Sequence, residues 1–460
     1  MKLHQSVVMG SLLSFLSAHA YGQGERYPAY QLMEQGDESV FFGSNLRIHN
    51  GRVVLKSFGF FPNPYITTVS IFDAQTGDAI DSIQFGGSGP SYNSARAIEL
   101  DGNEMLLGFA NLDTPDGGNS GQVQLVDLGT AGESVSFAPI VGPGESRAGE
   151  LFGTAVALAG NRVVVSAPGD RDNGFLSGSV FVFDRDSQQQ LRKIKPMDGN
   201  REDQFGDSMV VDSGVIAVGA THADNPPVFF SGVVYLFSLN TYEQLHRLSA
   251  PEPLYDAHYG QSLAMSGGYL AVGAPNEEVP VAALDHTRAV GAVYVYDVQS
   301  GDLVYKLQPL IEIENRAFGS SVAISGDLLV VGAPAENVGA GGAYVYRLST
   351  GELLTRLTAE GLSDYDNFGL PVDIDGDLVV VGAAYADHEG ENNGTVYVFD
   401  LGSCSVADLA EPYFELNFFD VSAFLSAYIA ESDEADINGD GMFDFFDVSQ
   451  FLTAYNGGCP

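Results

Sequence analysis

The chain has 460 residues, with 60 acidic and 20 basic side chains and a formal charge of −40 at neutral pH. A surface this acidic excludes a nucleic-acid partner held by its phosphates, which are bound by clustered Lys and Arg. Apolar residues make up 45% of the chain, so the charge does not imply disorder, and the length exceeds what one hydrophobic core usually organises.

At the N-terminus, Lys2 precedes an apolar run, Val7–Leu16, and Ala18-His19-Ala20 offers a small-x-small cleavage site. The run is too short to span a bilayer, so residues 1–22 read as a secretory signal cut after Ala20 or Gly22. The expected location is secreted or cell-surface associated, and no later stretch reaches transmembrane length. Residues 23–29 read as a polar lead-in.

From there to residue 402 one phrase recurs. A Phe-Gly or Tyr-Gly pair opens it, at Phe42-Gly43, Phe152-Gly153, Phe205-Gly206, Tyr259-Gly260, Phe318-Gly319 and Phe368-Gly369, with a worn copy near Ser94-Ala95. Three short runs follow, as in Ser321–Ser325, Leu328–Gly332 and Ala343–Leu348, each four to six residues long and separated by glycine-bearing turns. Their β-branched and aromatic enrichment predicts strands. A fourth follows in most units, at Gln190–Ile194, Gln244–Leu248, Leu303–Leu307 and Leu353–Leu357. Four strands per unit, at 50 to 59 residues where consecutive pairs are intact, is the blade pattern of a propeller.

The ends of this region complement each other. The last unit stops after its third strand, Val396–Leu401, while the region begins with an orphan fourth strand, Ala29–Met33. Joining them completes a seventh blade and removes an open edge. The fold class is therefore expected to be all-β: a seven-bladed β-propeller over residues 23–402, closed by its N- and C-terminal strands. The aromatic residue of each opening pair should pack between blades. The Gly-Ala of the second strand suits a crowded position near the axis.

The phrases FGSSVAISGDLLVVGAP at 318–334 and YGQSLAMSGGYLAVGAP at 259–275 resemble the FG-GAP repeat family, also found in integrin α-chain heads. The resemblance covers roughly residues 30–402 and implies a propeller that binds a partner. Repeats of that type often carry a calcium loop before the second strand. Here the corresponding segments are too short and too poor in oxygen ligands; Asp373, Asp375 and Asp377 come nearest, and strand alternation accounts for them equally.

The connections between second and third strands all project from one face. They carry Asp170, Asp172, Asp224, Glu277, Glu278, Glu336, Asp387 and Glu389, which predicts a negative rim, either solvated or screened by cations. Thr221–Ser231 and Asn276–Val290 are the longest of them. The aromatic, Pro/Gly-rich loops of the first two units could form a binding surface or pack between blades. The histidines, among them His222, His286 and His388, form no spaced metal-ligand set, and there is no nucleophile elbow.

At Cys404 the pattern changes. Residues 417–428 are repeated at 444–455, an offset of 27. In the second copy Asp436, Asn438 and Asp440 occupy positions 1, 3 and 5 of a calcium loop, with Gly441 at the turn, the Met442 carbonyl at 7, Asp444 at 9 and Asp447 at 12. Hard oxygen ligands at this spacing wrap Ca2+. The first copy is degraded: Asp408 and Asp420 are one residue too far apart and Pro412 takes a ligand position. Val421, Phe424, Leu425 and Tyr428, repeated as Val448, Phe451, Leu452 and Tyr455, predict two amphipathic helices. Cys404 and Cys459, the only cysteines, bracket the module, and in an exported chain they read as a disulfide. Closing a loop of about 55 residues is worth roughly 4 kcal/mol on the chain-entropy view.

Residues 403–460 resemble a Cys-bracketed dockerin, a small paired EF-hand-like α-helical module. That resemblance implies anchoring to a cohesin-like domain, with Ser422 and Ser449 among the candidate contact residues. The functional expectation is a secreted, non-enzymatic binding or scaffold protein that recognises extracellular protein or polysaccharide. A propeller enzyme acting on extracellular polysaccharide, a lyase or hydrolase, is the alternative, and a purely structural matrix component a third possibility.

Overall fold

The computed structural model describes residues 25–32, 39–59, 66–86, 95–129, 134–140, 146–280, 287–309, 317–386, 394–402, 418–430, 435, 437, 442–443 and 445–457. The short apolar runs form seven antiparallel meanders of four strands. The third runs Val156–Ala159, Arg162–Ala167, Ser179–Asp184 and Gln190–Ile194. The inner strand of each sheet touches the inner strand of the next, and the series returns from Val372–Asp375 to Ser39–His49. The sheets are therefore the blades of a closed seven-bladed propeller.

The seventh blade is built from both ends. Tyr30–Leu32 pairs antiparallel with Thr395–Asp400, in register Tyr30 to Val398 and Leu32 to Val396. The Ala29 amide extends the ladder to the Val398 carbonyl at 2.8 Å. The polar lead-in contains a short strand of its own: Glu25–Arg26 pairs in parallel with Arg356 and Leu357 on the outer edge of blade six. Arg26 Nη1 then donates to the Asp400 carbonyl in blade seven at 2.9 Å. A few residues thus cover the outer edges of both last blades, where unpaired backbone groups would face water.

Seven hydrophobic clusters each draw on two adjacent blades, one cluster per interface. The ring of each opening pair sits in one of them. Phe205 packs edge-on against Tyr235 and Phe237 of its own blade and belongs to the cluster shared with Val164, Val180 and Val182 of the blade before. A buried ring contributes roughly 1.5–3 kcal/mol, and edge-to-face contacts about 0.5–1.5 kcal/mol more.

Backbone staples join the blades beside these rings. The Phe205 amide donates to the Ser177 carbonyl at 3.2 Å, and Gly178 forms a parallel bridge with Phe205. Gly178 has φ +83°, and a Cβ there would lie 2.0 Å from the Phe205 carbonyl oxygen, so only glycine fits. The second-strand glycine is crowded for a similar reason: a Cβ on Gly332 would lie 1.9 Å from the Gly369 carbonyl of blade seven. The crowding arises where adjacent blades meet.

Near the C-terminus, helices Phe418–Ile429 and Phe445–Gly457 pack through Phe424 and Phe451, whose rings stack at 4.0 Å. Val421, Tyr428, Val448 and Tyr455 pack around them. Leu425 and Leu452 are exposed, so the buried stripe omits the i+4 position expected of it.

Candidate functional site

In a four-strand meander, the second-to-third connection and the link to the next blade emerge at the same end of the sheet. One face of the propeller therefore collects both sets of loops. Three of the acids expected to form an open negative rim are instead withdrawn from solvent. Asp170, Glu277 and Glu336 are buried, each opposite a cation of the fourth strand. Lys193 Nζ donates to Asp170 Oδ2 at 2.6 Å and lies 5.2 Å above the Phe181 ring. Lys306 Nζ donates to Glu277 and lies 5.1 Å above Tyr294, whose hydroxyl donates to Glu277 Oε2 at 2.6 Å. Arg356 Nη2 donates to Glu336 Oε1 at 3.0 Å, and the Tyr344 hydroxyl donates to Glu336 Oε2 at 2.8 Å. In blade four, Arg247 stands over Tyr235 and its Nε donates to Asp198 Oδ2 at 2.9 Å.

Acid, ring and cation thus recur in four successive blades. A buried carboxylate is tolerated only when paired and hydrogen-bonded, and Asp170, Glu277 and Glu336 are both, whereas Asp198 of the blade three–four link is exposed. Burial pulls the Lys193 ammonium down, but its bonds to Asp170 and Asp172 hold it above the ordinary lysine value. Burial and the Glu277 carboxylate push the Tyr294 hydroxyl up, so it remains a donor. Blade seven has no such cation, because its fourth strand comes from the N-terminus and sets Gln31 opposite Tyr397. Asp172 pairs with Lys193 and Lys195. Asp224 accepts from the Phe230 amide, and Glu278 is exposed. Asp387 and Glu389 lie outside the described residues.

Several aromatic rings of this face are open to solvent. Phe175, Phe229, Tyr255, Tyr365 and Tyr385 are exposed by 47%, 62%, 67%, 69% and 42%. Phe229 and Tyr255 flank a cluster in which the His222 ring lies 5.4 Å from His258 and 6.1 Å from Phe230, and Phe230 lies 6.2 Å from Tyr255. His258 is held by Asp256 and Gln261, each at 3.2 Å. Sequence reasoning passed over these rings, since a single Phe in a loop carries no pattern. The aromatic loops singled out in the first two blades fall mostly outside the described residues.

The family model for the FG-GAP repeat matches residues 142–183, 189–237, 314–346 and 353–399. The chain carries FG-GAP repeats. No curated protein matches the sequence. The matched FG-GAP segments fall on blades three, four, six and seven; they contain the acid, ring and cation of blades three and six, and Asp198 and Tyr235 but not Arg247 of blade four.

In the propeller, Asp373 and Asp375 have an architectural role. Asp373 Oδ2 accepts from the Ile48 amide at 3.0 Å and Asp375 Oδ2 from the Asn50 amide at 2.6 Å, tying blade seven to blade one. Ser321 and Ser325 make the same kind of tie from blade six to Val372 and Gly376. Beside Asp373, Arg47 pairs with Glu99 across the inner strands of blades one and two. Burial pushes the Glu99 and Asp373 carboxyls up against the pull of Arg47.

Of the calcium ligands expected in the tail, Asp436, Asn438, Asp440 and Asp444 lie outside the described residues, as do Cys404 and Cys459. Asp447 is fully buried at the first turn of the last helix, and Met442 is exposed. Among the described residues, no group of three or more His, Cys, Asp or Glu side chains converges as a metal site requires. Among the same residues no helix is long and apolar enough to cross a membrane.

Proposed function

We propose that this protein is a secreted, non-enzymatic binding or scaffold module. Its loop face recognises extracellular protein or polysaccharide, and residues 403–460 tether it through a dockerin-like, calcium-dependent module. The observation that carries the reading is the set of exposed rings on one rigid face, contributed by connections of several blades. Flat aromatic surface on a rigid support binds at low entropic cost. The acids of that face support binding over catalysis, because Asp170, Glu277 and Glu336 are committed to cations of their own blades.

In the tail, Asp436, Asn438, Asp440, the Met442 carbonyl, Asp444 and Asp447 would hold Ca2+. The donor set is all hard oxygen, and burial of Asp447 fits a carboxylate directed at an ion. Bound calcium would stabilise the helix pair by linkage.

The test is a binding screen of the full chain against extracellular glycans and matrix proteins, with product release followed in parallel. Phe229→Ala and Tyr255→Ala should weaken retention without altering the circular dichroism. Turnover of a glycan, abolished by one loop substitution, would overturn the non-enzymatic reading. For the tail, calcium titration should show at least one tight site that Asp436→Ala weakens strongly; absence of heat would remove the metal assignment.

A further inference from the structure

Two exposed arginines stand together between blades three and four of this acidic chain. Arg171 and Arg201 come from different connections, and both guanidinium carbons stand over the ring of Phe175, at 5.3 and 5.9 Å. Arg171 is exposed and makes no side-chain hydrogen bond or ion pair among the described residues. Arg201 is exposed, and its ion pair among the described residues is with its sequence neighbour Glu202, at 2.7 Å. Such a surface pair is weak and leaves donors free.

The arrangement is fixed by backbone. The Glu202 amide donates to the Phe175 carbonyl at 2.8 Å, and the Gln204 amide to the Leu176 carbonyl at 3.0 Å. Gly174, at φ +121°, lets the loop close against Arg201, where a Cβ would meet the Arg201 Cβ at 3.1 Å. Of the nearby acids, Asp170 and Asp172 are paired with Lys193 and Lys195, Glu202 pairs with Arg201, and Asp203 is buried and accepts from the Asn200 amide. Two guanidinium groups are therefore presented to solvent side by side on a chain of −40.

We propose that Arg171, Phe175 and Arg201 form an oxyanion subsite for an acidic polysaccharide. This rests on the loop-face binding reading above. Guanidinium groups bind carboxylate and sulfate oxygens with planar, forked donors. Phe175 orients both guanidiniums through its faces, and the exposed Phe229 and Tyr255 of the next sector offer flat surface to the C–H faces of neighbouring sugars. That combination favours a saccharide chain over an acidic peptide. The charge of the whole chain would repel a polyanion at a distance. In about 0.15 M salt the Debye length is about 8 Å, so the local pair governs close contact.

The test uses the full chain in calcium at about 0.15 M salt. Binding is compared on a polyuronate, a sulfated galactan, an uncharged β-glucan and polyglutamate. Retention is expected on the polyuronate or the sulfated galactan, and the one preferred identifies the oxyanion as carboxylate or sulfate. Arg171→Gln and Arg201→Gln should each lower that affinity about tenfold, the loss of one charge-assisted contact. Glu202→Gln should raise it by freeing Arg201, and binding to the uncharged glucan should be unchanged in all three variants. Retention on neither polyanion, arginine variants that bind like wild type, or a preference for polyglutamate would each overturn the proposal. If the uncharged glucan or a matrix protein still binds in those cases, the loop-face reading survives; if nothing binds, both fail.

Discussion

Replacing Lys306 by Met should destabilise the propeller by about 3 kcal/mol, because it strands a carboxylate. Glu277 has only 4% of its side chain in water, and its partners are Lys306, the Tyr294 hydroxyl and Gln308 Nε2 at 3.2 Å. Removing one partner of a buried pair typically costs about 3–5 kcal/mol. The low end applies here, because Lys306 itself is 33% exposed and two neutral donors remain. Replacing both residues, as Glu277→Gln with Lys306→Met, removes the stranded charge and should bring the loss to about 1 kcal/mol. The chain has no Trp, so urea unfolding would be followed by circular dichroism and tyrosine fluorescence, with coincident transitions required before a free energy is assigned. The two single variants and the double form a cycle, and a coupling of about 2 kcal/mol is expected. A Lys306→Met protein as stable as the double variant would refute the pairing account and restore an acidic face screened by solvent.

Three further outcomes test the ring itself. Leu32→Ala, in the closing strand and buried between blades seven and one, should cost about 2–4 kcal/mol; hydrogen exchange should show lost protection at Thr395–Asp400, and unchanged protection there would mean that the N-terminal strand is not what closes the ring. Gly178→Ala should cost clearly more than Gly214→Ala in thermal or urea unfolding. Both glycines have positive φ, +83° and +79°, worth about 1–2 kcal/mol, but only the first would drive a Cβ into a backbone oxygen; equal losses would remove the close-approach argument. Asp203 is buried, and burial pushes its carboxyl up to about 6, with Asp224 and Asp198 adding to the rise. A raised acid favours the folded state most when protonated, so its contribution is lost as pH rises from about 4 through about 6. The stability difference between wild type and Asp203→Asn should therefore widen over that window, with the variant about 2 kcal/mol ahead at pH 7; a pH-independent difference would contradict it.

The blades were legible because they repeat in register. Phe205-Gly206 and Phe318-Gly319 mean little singly, but their recurrence marks each inner strand, and the missing fourth strand after Thr395–Asp400 pointed to Tyr30–Leu32. Glu25–Arg26 escaped notice because two polar residues carry no alternation, and their pairing with Arg356 and Leu357 is set by the chain geometry on either side. The acid–ring–cation set is hidden in the sequence for another reason. Loop acids were weighed by charge alone, while their partners sit in the fourth strand, each one residue before its closing Ile or Leu: Lys193-Ile194, Arg247-Leu248, Lys306-Leu307 and Arg356-Leu357. That in-register cation was available as a signal. Phe175 and Tyr255 were not, because exposure at a loop tip leaves no periodic trace.

The same division explains how the molecule can vary a binding face without losing its fold. Each interface between blades carries its own cluster, and most add a glycine close approach; none of these depends on the exposed rings. Phe181, Tyr235, Tyr294 and Tyr344 face inward under their cations. The cations in turn neutralise loop acids such as Asp170 and Glu336, which fixes the base of each connection while leaving its tip free. Phe175, Phe229 and Tyr255 occupy such tips or the links beside them, so their replacement removes contact surface and little burial. A substitution at Lys193 or Arg356 acts on both levels, because it loosens the base from which a loop is presented. Binding and stability should therefore separate for the exposed rings and fall together for the buried cations.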